Sequence, residues 1–179
     1  KLIIIFIIII LIMLLLKIQI LPIIYPQKYA EYVEKYAQEC DLDPLLIYSI
    51  IKAESNFNEN AKSNSNAIGL MQVMLSTAQE MGAKMKSVEI TEEKLYEPEI
   101  NIEIGVKYFK SLLQKYDNYN LAIIAYNAGM GNVDNWIEQG IIDEQGNDIE
   151  SIPFPETKNY VKKILQNYKI YKEIYWGRS

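Results

Sequence analysis

At 179 residues, 50% apolar and 23% charged, the chain has room for one globular domain and a tail. A net charge of −5, with no run of five or more basic residues, argues against a nucleic-acid surface. With no histidine and one cysteine, Cys40, the chain cannot build Ser-His-Asp triads, Cys-His dyads, His-ligated zinc, thiolate cages or an intrachain disulfide. Carboxylates, hydroxyls, amides, tyrosines and lysines are left for chemistry.

Leu2 to Leu16 is an unbroken apolar run flanked by Lys1 and Lys17. Its length lies between a signal-peptide core and a full membrane span. Snorkelling of Lys17 lets Ile18, Ile20, Leu21, Ile23 and Ile24 extend it to spanning length. No Ala-x-Ala cleavage site follows, so residues 1–26 are read as a retained membrane anchor rather than a removed signal. An anchor placed there leaves the rest of the chain outside the cytoplasm.

Residues 27–179 contain no repeat or low-complexity linker and are read as one domain. Tyr29, Tyr32, Val33, Tyr36, Ala37 and Cys40 recur at helical spacing and predict a first amphipathic helix. Asp43-Pro44 has the form of an N-cap followed by proline at the first helical position, opening a helix to about Ser55. The Asn- and Ser-rich stretch 56–66 predicts a loop, followed by an irregular piece over 69–73. Ser76 is expected to cap a short helix that ends at Gly82, and Thr91 with Glu93 and Lys94 suggests another. Ile102, Val106, Phe109, Leu113 and Tyr116 mark a long helix over 99–116. Leu121, Ile124, Ala125 and Ala128 mark a more buried one. Residues 140–151 predict a loop or small hairpin, and a terminal helix follows Pro155. No set of alternating strands is present, so the class is mainly α.

One carboxylate is out of place. Ile47, Ile50, Ile51 and Glu54 stand at i, i+3, i+4 and i+7, so a glutamate continues the stripe that faces the core. It also falls at the helix C-terminus, where unpaired carbonyls disfavour a negative charge. Desolvation and the dipole both raise its pKa and keep the acid protonated near neutrality, as a general acid requires. One turn of fraying would instead make Glu54 an ordinary solvated glutamate.

The residues after it carry a resemblance. Glu54-Ser55-Asn56-Phe57-Asn58, Gly69-Leu70-Met71-Gln72-Val73-Met74 and Ala125-Tyr126-Asn127-Ala128-Gly129 occur in that order, with Glu156-Thr157 and Tyr160-Val161 near the end. Over residues 27–170 this resembles the catalytic domain of the soluble lytic murein transglycosylases, glycoside hydrolase family 23. The resemblance implies a lysozyme-like single domain with Glu54 as sole acid/base. It implies that Ser63 holds substrate or steadies the reacting sugar. Gln72 would hydrogen-bond sugar, Gly69 would permit close backbone approach, and Met74 would wall a subsite. Tyr126 and Asn127 would line the cleft, and Tyr160 would face the acid. Tyr126 and Met74 also read as core positions, and Ser63 as a turn residue. Two positions depart from the family pattern: Leu75 stands where proline is frequent, and Met130-Gly131-Asn132 where Pro-Gly-Arg is frequent. They bear on loop rigidity and substrate preference rather than on the acid.

The function implied by this resemblance is that of a peptidoglycan lytic transglycosylase, which cleaves the MurNAc-GlcNAc β-1,4 bond and leaves 1,6-anhydro ends. It needs no cofactor or metal; its partners are glycan strands and the membrane, and a monomer is expected. A lysozyme-type hydrolase on the same fold would require a second carboxylate, for which Glu59, Asp117 and Asp134 are available. An inactive wall-binding scaffold, or a protein-binding module using the Tyr29/Tyr32/Tyr36 stripe, are the other readings.

Overall fold

The computed structural model describes residues 2–84 and 89–175. Lys1 and the side chain of Lys17, on which the snorkelling expectation rests, lie outside the described residues.

The chain opens with helix α1, Leu2–Ile24, whose 23 residues reach about 34 Å, enough for a bilayer core. Every side chain from Leu2 to Leu16 is exposed. Leu16–Ile20 is wound as π-helix, and the Leu21 N–H reaches back to the Leu16 carbonyl. Pro22, next in the chain, lacks an N–H and crowds the carbonyl four residues earlier, which accounts for the local rewinding.

A tyrosine joint ties the end of α1 to the domain. The Tyr175 hydroxyl donates to the Tyr25 carbonyl (2.8 Å) and the Tyr171 hydroxyl to the Pro26 carbonyl (2.9 Å). The Tyr25 ring meets Tyr171 edge-on, and Tyr171 stacks on Tyr48 at 5.8 Å.

Helix α2 is Ala30–Glu39, burying Val33, Tyr36 and Ala37. Tyr29 stands at its N-cap with φ 59°, and Tyr32 and Cys40 are half-buried. Helix α3 is Pro44–Glu54: the Asp43 carboxylate accepts from the Leu45 N–H (2.8 Å), and Leu46 through Ile51 are buried without a break. Helix α3 therefore runs through the core, and α8, Pro155–Tyr175, packs along it.

Between them lie β1 (Ala67–Ile68) paired antiparallel to β2 (Val73–Met74), then α4 (Leu75–Lys84) and a 3-10 turn at Glu93–Tyr96. Helices α5 (Pro98–Tyr116), α6 (Tyr119–Ala128) and α7 (Met130–Glu138) come next, with a 3-10 turn at Ile149–Ser151 before α8. The mainly α class holds. Some details of the elements differ from the sequence expectation. Gly82 does not end α4, which continues to Lys84; a Cβ at Gly82 would lie 2.8 Å from Ile90 Cγ1, so the glycine serves packing. Helix α7 has no counterpart among the expected elements; it buries only Val133 and Trp136 behind a poor helix-forming start. The 140–151 segment is a loop, as expected, rather than the alternative hairpin, and Asn118 and Asn120 hold it by donating to the Gln145 (2.6 Å) and Gly146 (2.9 Å) carbonyls.

Candidate active site

Glu54 is the last residue of α3. The chain turns away from it through Asn56 (φ 50°) and Phe57 (φ 65°), two left-handed residues that cost energy at each step. Phe57 is buried near Tyr48, and Lys52 Nζ donates to Asn56 Oδ1 (2.9 Å), which hold the turn in place. The Ser55 hydroxyl donates to the Leu70 carbonyl (2.8 Å), linking the end of α3 to the segment between β1 and β2.

The Tyr160 hydroxyl, from α8, donates to Glu54 Oε1 at 2.6 Å. Burial raises the Glu54 pKa to about 7, against the opposing pull of the Tyr160 hydrogen bond and the Lys163 charge. Burial, and next the Glu54 charge, hold the phenols of Tyr126 and Tyr160 well above their ordinary value, so both remain neutral donors. A carboxyl half-protonated at neutrality, beside a phenol that keeps its own proton, is equipped both to give and to receive a proton.

Next to this group lies a cleft of about 250 Å³ lined by Gln72, Val73, Met74, Thr77, Tyr108, Tyr126, Asn127, Ala128 and Gly129. Tyr126 belongs to both: its ring lines the cleft and its hydroxyl, near Glu54, donates to the Met71 carbonyl at 2.8 Å. Its ring is braced by Tyr108 and Phe109, with centroids at 5.4 and 6.2 Å. The Thr157 hydroxyl donates to Asn127 Oδ1 (2.8 Å) and fixes the orientation of that exposed amide.

Gln72 (φ 48°) lines the cleft while its Nε2 donates to the carbonyls of Gly69 (2.9 Å) and Ala61 (3.2 Å). Met74 is 40% exposed on the cleft wall. Two of the sequence-derived residues sit behind this surface. Gly69 has φ +76°, and a Cβ there would lie 2.3 Å from Asn101 Nδ2 and 2.5 Å from the Leu95 carbonyl oxygen. The close approach it permits is thus to α5 and the 3-10 turn. Ser63 closes the turn into β1, its hydroxyl oxygen accepting from the Ala67 N–H at 3.0 Å.

Two supporting residues, Asn101 and Lys163, are absent from the motifs above, and a third, Thr157, stands in the Glu156-Thr157 motif without an assigned role. Asn101, buried in α5, accepts from the Met71 N–H and donates to the Ile68 and Leu95 carbonyls, all at 2.8 Å. It shapes the loop that carries Gln72. The available signal is a polar residue in an apolar helical stripe, the same signal that exposes Glu54. Thr157 and Lys163 act through contacts with residues distant in sequence, which no local pattern announces. The candidate second carboxylates lie elsewhere: Glu59 accepts from Tyr29 (2.8 Å), Asp134 pairs with Tyr116 and Lys115, and Asp117 is the exposed cap of α5.

The family model for the transglycosylase SLT domain matches residues 31–147, more than half of the chain. The chain belongs to the transglycosylase SLT domain family. Among relatives, this SLT domain is 36% identical over 160 residues to the soluble lytic murein transglycosylase of Salmonella typhimurium, covering 87% of this chain and 24% of that protein. It is 32% identical over 169 residues to the membrane-bound lytic murein transglycosylase C of Edwardsiella ictaluri, covering 82% of this chain and 47% of that one. The 70-kDa soluble lytic transglycosylase in complex with bulgecin A superposes with TM-score 0.79 at 32% identity, covering 86% of this chain and 25% of that one. An inactive Glu-to-Gln mutant of the transglycosylase Slt from Pseudomonas aeruginosa gives TM-score 0.77 at 32% identity, with the same coverage. The SLT domain chain thus spans about a quarter of the length of the soluble relatives it matches.

Proposed function

We propose that this SLT-domain chain is a peptidoglycan lytic transglycosylase in which Glu54 is the single acid/base. Residues 1–26 form a single-pass anchor and residues 27–179 a monomeric catalytic domain on the cell-wall side. The observation that carries the reading is the Glu54 carboxyl, held to about pKa 7 by burial at the end of α3 with Tyr160 on its oxygen.

Protonated Glu54 gives its proton to the oxygen bridging MurNAc and GlcNAc, and the bond to C1 of MurNAc breaks. The resulting carboxylate is stabilised by the Tyr160 hydrogen bond until it takes the proton of the C6 hydroxyl of the same MurNAc. That oxygen closes on C1, leaving a 1,6-anhydro end and restoring the acid. Tyr126, Asn127 and Gln72 offer the aromatic face and planar amides that sugars require. Glu59 is bonded to Tyr29, Asp134 to Tyr116 and Lys115, and Asp117 caps α5, so none of the three is engaged with Glu54, which favours this route over hydrolysis, a reaction that calls for a second carboxyl group. The anchor reading is supported by the length of α1 and its exposed apolar surface, which water does not tolerate at that extent.

Mass spectrometry of muropeptides released from purified sacculi tests the reaction. Anhydro-ended fragments are expected. Reducing-end fragments would make the protein a hydrolase, and sacculus binding without release would make it a scaffold. Bulgecin A, held in complex by the 70-kDa soluble relative, is expected to bind this domain as well.

A further inference from the structure

Tyr160 is not the only residue of α8 that reaches the end of α3. Lys163, one turn further along the same face, donates from Nζ to the Ala53 carbonyl at 2.6 Å. That carbonyl belongs to the residue before the acid and is among the last four of α3, which have no partner inside the helix. These carbonyls carry the negative end of the helix dipole, directly beside the group that must become a carboxylate during the reaction. A cation bonded there cancels part of that field.

The groups facing Glu54 are few. From α8 they are Tyr160 and Lys163, and from α6 Tyr126, both tyrosines being neutral donors. On its own helix Lys52 is turned away, bonded to Asn56 Oδ1 and placed over the Tyr25 ring at 4.8 Å. Among the described residues Lys163 is therefore the cation that acts on the acid, and it lies outside the cleft lining.

We propose that Lys163 is a positioning residue for transglycosylation, which caps the α3 carbonyl beside Glu54 and stabilises the carboxylate formed between the two proton transfers. Glu54 must give a proton in one half of the reaction and take one in the other. An acid held too tightly protonated would perform the first step slowly and seldom be available as the base. Lys163 offsets the dipole so that burial leaves the acid balanced between its two forms. This rests on Glu54 being the acid/base of the reaction.

The test is the pH profile of kcat/KM on purified glycan strands for the full chain in detergent, comparing wild type with Lys163→Arg and Lys163→Gln. Glutamine retains a donor without the charge, and arginine retains both. Activity falls as Glu54 loses its proton, so loss of the cation should move the alkaline limb upward. Lys163→Gln should shift it by roughly half a pH unit, discounted for an exposed lysine, while Lys163→Arg keeps the wild-type limb. A Lys163→Gln limb identical to wild type, with activity reduced equally at every pH or not at all, would overturn the proposal and leave Lys163 a helix cap. Glu54→Gln run alongside separates the two readings. Full activity in that variant would remove the acid itself, whereas an inactive Glu54→Gln with unmoved limbs removes only the role of Lys163.

Discussion

Burial of Glu54 sets stability against the acid role proposed for it. An ordinary glutamate has a pKa of 4.5, and this one is raised to about 7 by burial. The folded value lies above the unfolded one, so burial carries no charge penalty below about pH 4.5, and stability is lost as pH rises through about 7. Glu54→Gln keeps an acceptor for the Tyr160 hydroxyl and has no charge to bury. Thermal unfolding should find it about 3 kcal/mol more stable than wild type at pH 8 and nearly equal at pH 4.5. Its catalytic output should nonetheless be lost. The position is legible in the sequence because a glutamate continues the Ile47, Ile50, Ile51 stripe. Its partners are not: Tyr160 lies 106 residues away and is reached only through resemblance. Ser63 marks the limit of that route, since its one visible task is the turn to Ala67.

At the scale of elements, long periodic helices are readable and short or irregular pieces are not. Helices α3, α5 and α8 bury extended stripes, which periodicity registers. The β1–β2 pair has two residues per strand, too few for alternation to appear. Helix α7 buries two side chains after a glycine and an asparagine, and Gly82 mimics a helix stop while making room for Ile90. The loop between the strands depends on Asn101, whose single amide satisfies one N–H and two carbonyls. Asn101→Ala strands those three groups in the interior and should cost about 3 kcal/mol by urea unfolding. Asn101→Asp should not rescue it, because a carboxylate would face the Ile68 and Leu95 carbonyls. Both variants should lose glycan cleavage along with the Gln72 loop.

At the scale of the whole molecule, the helices that carry the acid and its tyrosine also hold the end of α1. Tyr48 of α3 and Tyr171 and Tyr175 of α8 pack about Tyr25 and Pro26, so the joint between α1 and the domain is built rather than loose. The joint belongs to the domain's stability. A chain begun at Tyr25 retains both carbonyl acceptors, whereas one begun at Gln27 leaves the hydroxyl of fully buried Tyr171 unpaired. The longer form should be more stable by about 1–3 kcal/mol in thermal or urea unfolding. Equal stability would mean the tyrosines pack without the joint. The sequence displays an apolar segment and a tyrosine-rich domain, but not that one closes on the other, because the contacts join residues some 145 positions apart.

In the proposed reaction one carboxyl, half-protonated near neutrality, both gives and takes the proton. Carbon-13 NMR titration of the glutamate side chains, with Glu54 assigned by its absence in Glu54→Gln, measures this directly when set beside the pH profile of kcat/KM. One carboxyl titrating near pH 7, with cleavage falling about the same midpoint, is the predicted result. A Glu54 that titrates near 4.5, or cleavage that declines at a pH unrelated to its midpoint, would contradict a single carboxyl serving as both acid and base.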